Sequence, residues 1–163
     1  LSLPRPVLLH ALASRMVASG MGDFLYGFLS FAVSGSFSWG GLLRFVLAVV
    51  LAAMVFGAFL VLVQSLTFWI GSSSNLLQLA VNAMITFAIY PITLFDRAAK
   101  LILFTVIPAA LMGTVPAEFA RQFTWQTLAE MLLGAVVFVG LAVGLFQLGL
   151  RRYESGSAIQ TEV

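Results

Sequence analysis

Long apolar runs separated by short polar turns dominate the chain, and they predict four membrane-spanning helices. The runs cover residues 22–38, 42–70, 75–90 and 128–150. A helix needs about 20 apolar residues to cross a hydrocarbon core of roughly 30 Å, and no stretch alternates with the period of two that barrel strands require. The expected fold class is therefore an all-α membrane protein, organised as one membrane domain.

A fifth apolar run, at residues 91–116, differs from the others because it is short and interrupted by proline. Its apolar centre, Leu101 to Gly113, would rise only about 20 Å as a helix, which is less than the membrane thickness. Pro108 lacks a backbone N–H inside that centre, and Pro91 and Pro116 bracket the run, so a continuous rod is disfavoured. We expect a re-entrant hairpin that enters and leaves the membrane on one side.

The start of the chain, residues 1–21, mixes apolar side chains with basic and polar ones after two prolines. This pattern is typical of a short helix in the membrane interface, although a frayed lead-in to the first span fits equally well. His10 is interpreted as an interfacial side chain and not as a metal ligand. A second polar and aromatic segment, residues 117–127, precedes the last span and is also interpreted as interfacial.

Basic residues predict the orientation. With four spans and a hairpin that does not cross, Arg5, Arg15, Arg151 and Arg152 share one side of the membrane, which the positive-inside rule assigns to the cytoplasm. Both ends, including a polar tail at residues 151–163, are then cytoplasmic in a multi-pass inner-membrane protein, and the hairpin is external. If the hairpin crossed once, the arginines at the two ends would lie on opposite sides.

The third predicted span carries the most informative polar pattern. Gln78, Asn82 and Thr86 recur at every fourth position and therefore share one helical face, and Tyr90 closes the span. Uncharged polar groups in a membrane helix avoid lipid, so this polar stripe must face other helices or a water-lined path. Hydrogen bonding between helices and a substrate path remain alternatives at this point.

Glycines in the last predicted span form a second pattern. Gly140 and Gly144 make a GxxxG face, which allows close helix contact. The motif is weak, and packing inside this protein is favoured over dimerisation.

Composition excludes several classes of function. The chain of 163 residues is 61% hydrophobic and 9% charged, far from the usual soluble composition of about 45–50% apolar and 25% charged. Its eight basic residues lie mostly near the ends of apolar runs, where they indicate orientation and not a nucleic-acid partner. The chain has no cysteine, one histidine, no phosphate-binding loop and no catalytic triad, so we expect no catalysis and no metal or cofactor held by the chain itself.

Three stretches resemble a known family. The runs YPITLF and LILFTVIPAALMGTVPAE, with the closing LGLRRYESGS, resemble the C-terminal half of type 2 ATP-binding-cassette exporter permeases, in the branch with a tyrosine-proline after its fifth helix and a YESG tail. The opening PRPVLLHAL resembles the cytoplasmic loop after that branch's second helix. The resemblance implies that the family's first two helices are absent, which agrees with a start at Leu1 instead of methionine.

The resemblance also implies a role for each candidate site. The family's permeases work as pairs, identical or different, with two cytoplasmic ATPases that carry the ATP and magnesium. The alternative function is a non-transporting membrane scaffold or assembly subunit. The implied roles are ATPase coupling by Arg5, Val7, Leu8, His10 and Arg15, a substrate path along Gln78, Asn82, Thr86 and Tyr90, and an external re-entrant cap containing Pro91, Pro108 and Pro116.

Overall fold

The computed structural model describes residues 18–34, 38–70 and 74–157, and within them every regular element is a helix. The prediction of an all-α membrane protein is confirmed. In chain order the elements are α1 (Ala18–Val33), α2 (Trp39–Ser65), α3 (Thr67–Ile70), α4 (Ser74–Ile89), a 3₁₀ turn (Ile92–Leu94), α5 (Arg97–Thr105), α6 (Ala109–Met112), α7 (Thr114–Arg121) and α8 (Trp125–Ser157).

Two helices of the described part are long and apolar enough to cross a membrane, and a third counts if the bent pair α5 to α7 is one span. The two long helices are Trp39–Ile70, where α3 continues α2, and Trp125–Arg151. The other two predicted spans correspond to the shorter apolar helices Gly20–Val33 and Asn75–Ile89. The end of the last predicted span at Leu150 stays a prediction, and α8 itself continues to Ser157, because arginine favours a helix as well as most apolar residues do.

The chain divides into two compact units, Leu1–Ser38 and Trp39–Val163. In the first unit, α1 buries Phe31 and leaves most of its other large apolar side chains exposed, including Tyr26 and Val33. An apolar helix surface of this kind is suited to lipid or to another membrane helix.

The second unit is built on α2 and α8, which pack side by side. Their contact faces repeat with helical spacing and combine small with large side chains, which lets the two backbones approach closely. The buried positions are Ala48, Leu51, Val55 and Ala58 on α2 and Met131, Ala135, Phe138 and Ala142 on α8.

Contacts near the end of α3 show that α2 and α8 run parallel. The ring of Phe68 lies 6.0 Å from that of Phe146, centroid to centroid, and it also covers Gly149. Because α8 ends at Ser157, soon after Gly149, an antiparallel arrangement would leave most of α2 without a neighbour. Ala58 instead shares a groove with residues 139–150 of α8.

The chain returns from the end of α2 to the start of α8 through α4. Met84 of α4 is fully buried in the core, with Leu77 and Ala80 packed around it on the same face. The last turn of α4 contacts α6 and α7 at Gly113, where an added Cβ would overlap the carbonyl oxygen of Ala88. The segment that follows α4 therefore begins and ends at the same end of the bundle.

That segment contains the break expected at Pro108. The helices Arg97–Thr105 and Ala109–Arg121 are bent by 67° at residues 106–108, and Pro108 itself is fully buried. A cap at Asp96 starts α5, where the Asp96 carboxylate accepts a hydrogen bond of 2.7 Å from the Ala99 N–H. Pro116, expected as a bracket, lies within the first turn of α7, where its missing N–H costs no helical hydrogen bond.

The bend is inserted between the long helices. Ala109, Ala110 and Leu111 of α6 are buried, and the side chain of Leu111 fills the space above Gly134. Along α8, Gly134 lies a helical rise of about 14 Å beyond Trp125, less than half of a hydrocarbon core of roughly 30 Å. A single span broken in the middle and a re-entrant loop would both contain such a bend, so the re-entrant hairpin stays a prediction.

The glycines that pack closely differ from those that the GxxxG pattern indicated. Within the described residues, a Cβ added at Gly140 or Gly144 would meet no atom within 4 Å. Close approach occurs at Gly113, Gly134 and Gly149 instead. Any packing partner of the Gly140 and Gly144 face therefore lies outside the described part of this chain.

Candidate functional site

The polar stripe of α4 lies on the outer surface of the unit. Gln78, Asn82, Thr86 and Tyr90 are all exposed, while the opposite face of α4, centred on Met84, packs into the core. Helical periodicity fixes this division, because positions four apart share a face and Met84 lies opposite them. The sequence therefore placed these four residues on one face, and the tertiary structure turns that face outward.

Within the described residues, hydrogen bonding along the stripe is confined to α4. The amide nitrogen Nε2 of Gln78 donates to Oδ1 of Asn82 at 3.0 Å. Across residues 38–70 and 74–157, none of the four side chains bonds to another helix. Hydrogen bonds between helices of this unit, one of the two alternatives for the stripe, are thus not found in the described part.

The stripe leads into a cavity at the end of α4. This first cavity has a volume of about 390 Å³ and lies between the last turn of α4 and α7. Tyr90 and Pro91 form one wall, and Thr114, Glu118 and Arg121 belong to the other. Helix α7 thus presents its charged side chains to the end of the polar stripe.

A second cavity, of about 400 Å³, lies between α7 and the first turns of α8. Thr124 caps α8, since its Oγ1 accepts a hydrogen bond of 3.2 Å from the Thr127 N–H. Gln126 Nε2 donates to Glu130 Oε1 at 2.9 Å, which holds that carboxylate on the cavity wall. The lining is entirely polar or charged: Glu118, Arg121, Gln122, Thr124, Gln126, Thr127 and Glu130.

Glu118 and Arg121 line both cavities and connect them. They lie three residues apart on α7, so their Cβ atoms are neighbours at about 5–6 Å on the helix surface. Both side chains are exposed, and neither forms an ion pair within the part of the chain described here. We call the two cavities together the vestibule.

Sequence reasoning did not assign the vestibule to a site. The signals were present in residues 117–127, which contain two charged and two amide side chains around the Thr124 cap. Their convergence with Tyr90 depends on the bend at Pro108, which folds α7 back toward α4. That contact lies between residues distant in the chain, and local sequence patterns do not encode it.

The remaining candidate residues fall into two groups. Of the hairpin prolines, Pro91 lines the first cavity, and Pro108 and Pro116 are buried. Among the residues that the structure describes, no group of three His, Asp or Glu side chains could bind a metal ion. The coupling candidates Arg5, Val7, Leu8, His10 and Arg15 lie outside the described residues.

Comparison with known proteins identifies one family. The model of the family described as ABC-2 family transporter protein matches residues 1–157 of the chain. No curated protein and no solved structure matches it.

Proposed function

The chain belongs to the ABC-2 family of transporter proteins and is a multi-pass membrane subunit of an ABC transporter, and we propose that it is the permease of an ATP-driven exporter. Such a subunit associates with ABC ATPases and is not the catalytic component itself. In our proposal the partner ATPases, carrying ATP and magnesium, drive export across the cytoplasmic (inner) membrane. The YESG-tail branch of the type 2 exporter permeases is the branch that we propose for it.

One observation carries the proposal: Gln78, Asn82 and Thr86 share one exposed face of α4, and Tyr90 is exposed at its end. Gln78 and Asn82 pair with each other and still leave hydrogen-bonding groups unsatisfied. Leaving such groups in lipid costs free energy, whereas a second permease subunit facing α4 would enclose them in a water-lined path. Substrate then passes along Gln78, Asn82, Thr86 and Tyr90, between two permeases that are identical or different.

The direction of the helices supports a re-entrant hairpin. Since α2 and α8 are parallel and α4 connects the end of α2 to the start of α8, a crossing by α5 to α7 would have reversed α8. The shallow insertion of about 14 Å at Gly134 agrees with a segment that does not cross. With Arg151 on the cytoplasmic side, the hairpin is external, and it caps the path where α4 ends.

Coupling to the ATPase is assigned to the basic start of the chain. In the proposal, Arg5, Val7, Leu8, His10 and Arg15 form the segment that docks on the ATPase. Replacing Arg5 and Arg15 by glutamate reverses the charge of that segment and should release a co-purifying ATPase. An Arg97→Glu variant, which reverses one charge in the hairpin, should retain it. Retention of the ATPase by the Arg5 and Arg15 variant would contradict the docking role.

Transport is tested on the stripe itself. The double variant Gln78→Leu with Asn82→Leu should lose ATP-driven export of a fluorescent amphipathic probe from vesicles, while the purified protein keeps its helicity and melting behaviour. Gln64→Leu is the matched control, because Gln64 is an exposed glutamine on α2 away from the stripe. Export that survives in the double variant would refute the path. Misfolding of the double variant alone would favour the scaffold alternative.

A further inference from the structure

The vestibule differs chemically from the path that leads to it. The stripe on α4 offers only uncharged amide and hydroxyl groups, and it ends at Tyr90 in the first cavity. Beyond Tyr90, the vestibule offers two carboxylates and one guanidinium, from Glu118, Glu130 and Arg121. Charged ligand groups are therefore accommodated at the end of the path and not along it.

Glu118 and Arg121 are arranged to bind opposite charges at the same time. Their i, i+3 spacing puts their Cβ atoms about 5–6 Å apart on one face of α7, and both exposed side chains line the same two cavities. A purely cationic group beside Glu118 would also lie near the Arg121 guanidinium, and a purely anionic group beside Arg121 would lie near Glu118. Only a ligand with both charges pairs with both residues.

We propose that the vestibule binds a zwitterionic headgroup, with the cation at Glu118 and the anion at Arg121. Gln122, Gln126 and the Thr124 hydroxyl add hydrogen-bonding groups around the headgroup. The apolar part of such an amphipathic molecule lies against the apolar surface of the bundle. The inference rests on the proposed export function, since it names the chemical class that the path delivers.

Binding to the purified full chain tests the inference without the ATPase. Native mass spectrometry compares phosphatidylethanolamine with phosphatidylglycerol of the same acyl chains, and soluble glycerophosphoethanolamine serves as competitor. We expect a preference for phosphatidylethanolamine that Glu118→Gln and Arg121→Gln each reduce about five- to tenfold, the size of a typical lost hydrogen bond at an exposed site. Glu118→Gln should also raise phosphatidylglycerol binding, whereas Arg121→Gln should lower it.

The control is Arg97→Gln, which makes the same charge change as Arg121→Gln within the segment α5 to α7 but outside both cavities. It should leave the preference within twofold of the wild type. Competition by the soluble headgroup assigns the site to free zwitterionic solutes, and binding of the lipid alone assigns it to membrane lipid; both support the inference.

Two results overturn the inference: equal binding of the two lipids by the wild type, or equal losses in Arg97→Gln and Arg121→Gln. Export that persists while headgroup selectivity is absent refutes this inference alone. Headgroup binding without any ATP-driven export refutes the proposed function alone.

Discussion

Replacing Gly113 by alanine tests how the bend of the hairpin is held against α4. An added Cβ would overlap the carbonyl oxygen of Ala88 and lie 3.0 Å from its carbonyl carbon. Both atoms belong to the backbone, so no side-chain rotation can relieve the overlap. Gly113 has a φ of −108°, which any residue adopts, and the cost is therefore steric and not conformational.

The magnitude follows from comparing three glycines. Overpacking a well-packed site costs about 1–3 kcal/mol, and a rigid neighbour places Gly113→Ala near the upper end, at about 2–3 kcal/mol of unfolding free energy. Gly134→Ala meets only the flexible end of the Leu111 side chain and should cost about 1 kcal/mol. Gly144→Ala meets nothing within 4 Å and should stay within about 0.5 kcal/mol of the wild type.

The assay is unfolding of the purified full chain by sodium dodecyl sulfate titration in mixed micelles, followed by circular dichroism. The expected order of destabilisation is Gly113→Ala, then Gly134→Ala, then Gly144→Ala. A Gly113→Ala protein as stable as the wild type would refute the contact between the hairpin bend and α4. Equal destabilisation by Gly144→Ala would refute the assignment of its face to open space.

Three further predictions concern the burial of Met84, the orientation of α4 in the membrane and the cap of α5. Met84→Ala should lower the unfolding free energy by about 2–5 kcal/mol in the same titration, because Met84 is fully buried. Asn82→Leu on the exposed face should change the unfolding free energy by less than about 1 kcal/mol, and similar losses in both variants would contradict the orientation of α4. Leu94 and Ile70 are both exposed and lie at opposite ends of α4. A single cysteine at Leu94 should react with an impermeant thiol reagent from outside, and one at Ile70 should react from the cytoplasm. Labelling of both cysteines from one side would exclude a membrane-crossing α4. Asp96→Ala removes the cap of α5 and should lower the unfolding free energy by about 1 kcal/mol in the same titration. Asp96→Asn retains a capping oxygen and should lower the unfolding free energy less.

The sequence by itself determined the class of the protein, the position of most helices and the break at Pro108. These features are local, because apolar length sets which segments suit a membrane and proline removes a backbone donor wherever it occurs. The same holds for the stripe from Gln78 to Tyr90, which helical periodicity places on one face. Local motifs also indicated the ABC-2 family, which the match over residues 1–157 confirmed, whereas the branch with the YESG tail stays a prediction.

Tertiary structure alone decided which faces are covered. Gly140 and Gly144 carry the packing motif, yet the glycines in close contact are others. Ala88 lies against Gly113, Leu111 against Gly134 and Phe68 against Gly149, so these neighbours determine where a side chain larger than glycine would not fit. The outward direction of the stripe and the meeting of Tyr90 with Glu118 likewise depend on the bend that returns α7 to α4. Such contacts join residues far apart in the chain, and neither composition nor periodicity determines how helices with several apolar faces pack against one another.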